Sequence, residues 1–239
     1  MTGARHSMYG QGSKKTGTTL EFAPYQYASA TLPSINGKYA LSFGMWQKVN
    51  AISTDGGHWN GLNWPESGGW GWTICCSLSD LSNSFAWAGM GRNHGARIND
   101  GTCGRIGEWH HLFTVFNGTS VKFYFDGVLD KTVSFSRMAL ANNGSLVRLG
   151  INDAPGFRVA YVGACIFDRE LSAQDVEAVR DVGFAMDASK PPFSIGLMAG
   201  WNCVDGSGGS MANIKSGGPA LQISGADRNW TERVRLPTF

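Results

Sequence analysis

From residue 19 onward, apolar side chains recur at every second position in short runs, and Gly, Asn, Asp and Pro separate the runs. A period of two is the signature of a β-strand with one face in a core. Residues 19–22 and 25–32 form the first two such runs. In 40–46, Leu41, Phe43 and Met45 share a face. The clearest run is 108–116, with Trp109, His111, Phe113 and Val115 on one face. Asn117-Gly118 then predicts a type I′ hairpin turn, whose two central positions both need φ > 0. Val121, Phe123 and Phe125 return on one face, and Asp126-Gly127 predicts a second tight turn. Residues 129–135 are the next strand, with Leu129, Val133 and Phe135 on one side. Runs at 146–151 and 157–167 complete the series.

One short helix interrupts this pattern. Ser172 supplies an N-cap hydroxyl, and Asp175 follows three residues later, a variant of the capping box with its charge at the positive end of the helix dipole. Leu171, Val176 and Val179 have the spacing of one apolar stripe, and Gly183 is a fitting stop. Lys190-Pro191-Pro192 is a rigid connector. Residues 193–239 add runs at 195–201 and 220–223, with too few apolar groups for a core of their own. They are expected to complete the main sheets. Residues 1–18 are polar and rich in Gly, Ser, Lys and Thr, and are expected to form an N-terminal arm. Within it, residues 10–16 approximate a phosphate-binding loop, but Lys14 stands where a glycine must precede the Lys-Thr pair, so no nucleotide site is expected. The expected architecture is all-β: a two-sheet antiparallel jelly-roll sandwich over residues 19–239, with one short helix and a polar arm over 1–18.

Composition narrows the function. Only 16% of the 239 residues are charged, while Gly (33) and Trp (9) are abundant, which excludes a disordered or coiled-coil chain. A net charge of +2 gives no field to draw nucleic acid or anionic lipid, and no apolar run approaches a membrane span. Residues 1–7 lead into no apolar stretch, so no secretory signal is expected and synthesis in a reducing cytoplasm is. The five cysteines, Cys75, Cys76, Cys103, Cys165 and Cys203, are then free thiols, and none forms the Cys-x-x-Cys spacing of a zinc site. The sequons at Asn117, Asn143 and Asn229 are expected to be chance matches in turns.

Four short motifs occur in order: Trp109-His110-His111-Leu112, Tyr124-Phe125-Asp126-Gly127, Leu149-Gly150, and Phe167-Asp168-Arg169-Glu170-Leu171-Ser172. Together they resemble the laminin-G-like, concanavalin A-like jelly-roll family over residues 19–183. In that family a Trp-His-His strand leads into a Tyr-x-Asp-Gly hairpin, and an Asp-Arg-x-Leu-Ser turn leads into a short helix. Residues 197–208 resemble the family's opening strand, yet here they lie near the C-terminus. Such a rearranged layout is similar to laminin-G-like proteins of bacteriophage virions. The plain duties of the motif residues are structural: Asp126-Gly127 turns the chain, and Asp168 with Arg169 orders the corner before the helix.

Glucanases sharing this fold set two carboxylates close together on a strand face, because they must flank one bond. This chain has no Glu-x-Asp-x-Glu cluster. Glu108 stands alone beside Trp109, and Asp175, Glu177 and Asp181 are a solvated helix face. The expectation is a protein without catalysis. His110 and His111 are adjacent on a strand, point to opposite faces and cannot hold one ion together; one is expected packed, the other exposed. Asn152-Asp153 and Asn99-Asp100 offer oxygens without a defined ligand set, so neither metal nor cofactor is expected.

The distinctive stretch is 56–73, a long loop or edge hairpin in which four tryptophans lie among glycines. Three readings of it stand open. Trp59 and Trp64 stack on sugar rings while Asn60 and Asn63 hydrogen-bond to them; the aromatics are buried against a neighbouring subunit; or they pack within the chain, with Trp70 and Trp72 entering the core. Arg92, Arg97 and Arg105 in the next loop face an acidic partner or solvent. The first function these features suggest is a virion structural protein, a bacteriophage capsid decoration or cement protein made in the host cytoplasm. Its arm and Gly/Trp loop would grip the major capsid protein, neighbouring subunits or a second copy of itself. The alternative is a carbohydrate-binding, lectin-like module or adhesin whose partner is a glycan.

Overall fold

The structure, a computed structural model, describes residues 16–51, 58–66, 69–77, 85–87, 106–134, 136–137, 139–140, 146–152, 156, 158–203, 208–224 and 229–238. Its strands are β1 (Thr16–Phe22), β2 (Tyr27–Thr31), β3 (Leu41–Ala51), β4 (His58–Glu66), β5 (Gly69–Ser77), β6 (Phe85–Trp87), β7 (Trp109–Phe116), β8 (Ser120–Phe125), β9 (Val128–Ser134), β10 (Leu146–Asn152), β11 (Arg158–Phe167), β12 (Leu197–Trp201), β13 (Ser210–Met211), β14 (Leu221–Ser224) and β15 (Asn229–Arg235). The helix α1 spans Ala173–Val182. Two antiparallel sheets result. One runs β15-β1-β11-β3-β7-β8-β9, with β12 also paired to β11; the other runs β13-β14-β2-β10-β4-β5-β6.

The two sheets are buried unequally. Leu41, Phe43, Met45, Leu112, Phe116, Tyr161 and Ile166 of the first sheet meet Ala28, Leu62, Val147, Leu149 and Leu221 of the second in the main core. The opposite face of the first sheet is covered as well. There Phe113, Val115, Tyr124, Cys165 and Phe167 pack under Val176 and Val179 of α1 and under Phe193 and Leu197. Trp46, Trp109 and Val162 pack under Phe184 and Leu236. The shared face predicted for Trp109, His111, Phe113 and Val115 is therefore the helix-side face. This double coverage explains why β3 and β11 are buried along most of their length and why β11 reads as a nearly continuous apolar run, the pattern of strands buried on both sides.

The helix begins as predicted. Ser172 Oγ accepts the Asp175 N–H at 3.1 Å, and the Asp175 carboxylate accepts the Ser172 N–H at 3.2 Å. Arg169 locks the preceding corner: its Nη1 meets Asp175 Oδ2 at 3.2 Å, its Nε donates to the Ile195 carbonyl at 3.0 Å and its Nη2 to that of Pro192 at 3.3 Å. Lys38 pairs with Asp168 at 3.1 Å.

Three local expectations differ from the structure. Of the two forms expected for 56–73, the described residues take the hairpin and not the long loop, and the hairpin is not at the sheet edge. β4 and β5 pair as a hairpin, and β10 and β6 flank them. Ladder pairing across this hairpin outweighs the turn preference of its Gly and Asn residues. β1 begins at Thr16, three residues inside the stretch read as an arm, because Thr16 and Gly17 pair with Arg235 and Val234; residues 1–15 lie outside the described ones. At Asn117-Gly118 only Gly118 has φ > 0, at 86°. Asn117 instead closes the loop with its side-chain oxygen, which accepts the backbone N–H groups of Thr119 and Ser120. The type I′ requirement is met one hairpin later, by Asp126 (φ 51°) and Gly127 (φ 80°). A bulge in β9 then pairs Leu129 with Tyr124 but Val133 with Val121. Leu129 consequently leaves the face of Val133 and stands exposed. Phe135 lies outside the described residues.

Gly44 marks the tightest point between the central strands. A Cβ there would overlap the Phe113 ring and the Leu112 carbonyl oxygen. Backbone cannot yield as a flexible side chain can, so Gly44→Ala is expected to cost about 2–3 kcal/mol or more through overpacking. Urea unfolding of the variant against the parent measures this.

Candidate functional site

The face of the seven-stranded sheet that points away from the core is built row by row. Inward rows come first: Ile223, Ala28, Leu149 and Leu62 stand opposite one another on β14, β2, β10 and β4. All four line the core. Successive residues on a strand alternate faces, so the next row belongs to the outer side. That row runs Ser210, Gln222, Ser29, Arg148, Asn63 and Thr73 across β13, β14, β2, β10, β4 and β5. Every member is polar. At about 4.8 Å between strands, the row is roughly 24 Å long. Thr31, Gln222 and Ser224 on this side are exposed, and Tyr27, Ser29 and Arg148 are half-buried. The Arg148 guanidinium carbon lies 5.2 Å from the centre of the Tyr27 ring.

The four residues singled out in the sequence all fall on β4. Asn63 takes the place beside Arg148 in the polar row, and Trp59 stands opposite Asn152 on β10. Asn60 pairs with Cys75 and Trp64 with Trp72 on β5, on either side of a bulge. Sequence reasoning missed Arg148, Ser29 and Gln222, because only strand register brings them into line with Asn63. Arg92, Arg97, Arg105, Asn99-Asp100 and Asp153 lie outside the described residues.

A second polar cluster sits at one end of β7. His110 Nδ1 is 2.8 Å from Asp126 Oδ2. Since a carboxylate only accepts, this contact requires the proton on Nδ1. Asp126 Oδ1 accepts the His111 N–H at 2.8 Å, and the Asp126 carbonyl accepts from Arg180 at 2.8 Å. Glu108, read as solitary, lies 3.6 Å from His110 Nε2, an ion-pair distance too long for a hydrogen bond. The His110 ring stacks on Phe125 at 4.7 Å. His111, on the opposite face, is fully buried among Trp46 and Phe113. The expectation that one histidine packs and the other is exposed is thus corrected: His110 keeps only 14% side-chain exposure, because Asp126 and Phe125 cover it. With both Asp126 oxygens committed to β7 and its carbonyl to α1, the cluster acts as a clamp that fixes the β8–β9 turn. Cys165 and Cys203 are buried thiols, and burial pushes the Cys165 thiol well up, away from the reactive thiolate. Among the described residues no group of three or more His, Cys, Asp or Glu could hold a metal.

A family model described as the concanavalin A-like lectin/glucanases superfamily matches residues 22–177. The chain belongs to this superfamily. Its helix corner, its Asp-Gly turn and its paired sheets all lie within or beside the matched span. Among solved structures, this superfamily member is similar to a protein from Bacteroides ovatus assigned as carbohydrate-binding, at 11% identity and a TM-score of 0.65, covering 94% of this chain and 63% of that one. It is also similar to the binding domain of botulinum neurotoxin serotype G, at 12% identity and a TM-score of 0.51, covering 75% of this chain and 48% of that one. The chain therefore spans less than two-thirds of the length of either structure, and at these identities the likeness is one of fold. No curated protein matches it in sequence.

The clamp gives a direct test. Asp126→Ala removes the acceptor for His110 and for the His111 N–H and places alanine at positive φ. It is expected to cost about 3 kcal/mol in denaturant unfolding. Asp126→Asn, which tolerates that φ and can still accept the His111 N–H, should cost clearly less.

Proposed function

We propose that this chain is a carbohydrate-binding, lectin-like module that lays a glycan across the outer face of its seven-stranded sheet. One observation carries this reading. The central strands of the eight-stranded sheet are covered on both faces, whereas the seven-stranded sheet offers a polar outer row, and Asn63 of the Trp-rich hairpin stands in that row. Membership of a superfamily that contains lectins supports it. It also reverses the order of the two readings suggested by the sequence, placing glycan binding ahead of capsid decoration. The chemistry suits a sugar. Hydroxyl and amide side chains can each donate and accept, as sugar hydroxyls do, and indole faces stack on the apolar C–H faces of a pyranose ring. On β4, Trp59 and Asn63 share the parity of the outer row and would supply the indole and amide groups, with Ser29 and Gln222 as the neighbouring hydroxyl and amide, whereas Asn60 and Trp64 have the parity of Leu62. Such a site needs no chemistry beyond recognition, so the module would act without catalysis.

A glycan array probed with the parent protein tests the reading. Replacing Trp59 by Ala is expected to lower retention about tenfold, or ~1.4 kcal/mol, with the β-rich far-UV spectrum unchanged. Asn63→Ala provides a second, smaller change at the row itself. A parent protein that retains no glycan would sink the reading and return the function to protein docking.

A further inference from the structure

We infer that the ligand of this face is an acidic glycan, a sugar chain carrying a carboxylate, and that Arg148 is the residue that selects it. The inference rests on the carbohydrate-binding reading and names the ligand class for that same site. Arg148 lies at the middle of β10, with Ser29 opposite on one side and Asn63 on the other. Its burial is intermediate, and its Nε is buried with no hydrogen-bond partner among the described residues. Among the described residues no carboxylate pairs with it, whereas Arg169 and Arg158 each have an acidic partner, Asp175 and Glu21. A buried donor left without a partner is uncommon and calls for an explanation. The Tyr27 ring beneath the guanidinium holds its plane but accepts no charge-assisted hydrogen bond.

The surroundings fix the class of ligand. The flanking row contains only hydroxyl and amide side chains, so Arg148 brings its one formal charge. A neutral sugar would leave that charge unmatched while covering it from water. A carboxylate on the sugar matches the planar fork of guanidinium N–H donors with two parallel bonds, and a lysine ammonium would not reproduce that geometry. The hydroxyl and amide residues on either side would then meet the neutral part of the glycan.

The test uses the whole chain and an array that carries neutral oligosaccharides beside uronic- and sialic-acid-containing ones. Each retained acidic glycan is also presented as its methyl ester, which keeps the shape and removes the charge. The expected result is retention of carboxylated glycans, a fall of about tenfold on esterification, and Arg148→Gln binding the free acid no better than the ester. Arg148→Lys should recover only part of the difference. Equal binding of acid and ester, or an Arg148→Gln variant that still prefers the acid, would overturn the inference while leaving the carbohydrate-binding reading intact. Retention of no glycan would overturn both. The comparison of acid with ester on the parent protein stays decisive even where a variant folds poorly.

Discussion

The structure depends on burying one sheet on both of its faces. In β3 the odd positions Leu41, Phe43 and Met45 enter the space between the sheets, while Ser42, Gly44 and Trp46 lie beneath the α1 side. A strand in this position has no solvent face on which to place polar groups. The few it carries must be satisfied internally. Ser42 shows how: its hydroxyl donates to the Arg169 carbonyl at 2.7 Å and accepts the Leu171 N–H at 3.0 Å. Trp46 places its indole N–H on the Arg180 carbonyl. Both polar contacts go to the helix or to its entry corner, so the covering layer and the strand beneath it hold each other.

That layer is short. Ten helical residues would be marginal alone, and tertiary packing supplies most of their stability. Val176, Val179 and Val182 are buried against the sheet, and Arg169 ties the start of the helix to the 192–195 segment. Arg180, near the helix end, reaches the Asp126 carbonyl and crowds the place a Cβ would take at Gly127. The β8–β9 turn is thereby held from two directions, by α1 and by the His110–Asp126 contact. The Asp126-Gly127 turn and the Asp168–Ser172 corner are thus fasteners of a covered sheet that sit apart from the row proposed to bind ligand, whereas Leu149 of the Leu149-Gly150 motif lies beside Arg148 on β10.

Much of this was legible in the sequence, for definite physical reasons. Period-two patterning located β7, β8 and β11, and the capping pair Ser172 and Asp175 located the helix start, because these signals depend only on near neighbours. Where a bulge intervened, the same pattern misled. Leu129 and Val133 share a parity in the sequence, yet the bulge between Phe123 and Tyr124 in the partner ladder puts them on different faces. The Trp-rich stretch misled in another way. Its glycines and asparagines favour turns, and pairing with β10 and β6 keeps β4 and β5 extended despite them. The polar row was invisible because its six members lie on six different strands. Ser29 and Arg148 are unremarkable in isolation and acquire meaning only through register.

Register also ties the interior to the exterior. A slip of one residue between β10 and β4 would send every side chain of the slipped strand to the other face. Leu149 opposite Leu62 and Leu149 opposite Ala28 are buried contacts, and a slip would drive Arg148 into the core in their place. An unpaired guanidinium there would cost far more than the loss of one leucine contact. The hydrophobic row therefore selects the alignment, and the polar row beside it inherits that alignment. This matters for recognition because groups held on paired strands are placed more closely than groups on loops. On the proposed reading, a linear glycan lying across six strands would meet donors and acceptors whose spacing is set by the ladder itself. Specificity on this face would then follow from the same backbone hydrogen bonds that hold the sandwich together.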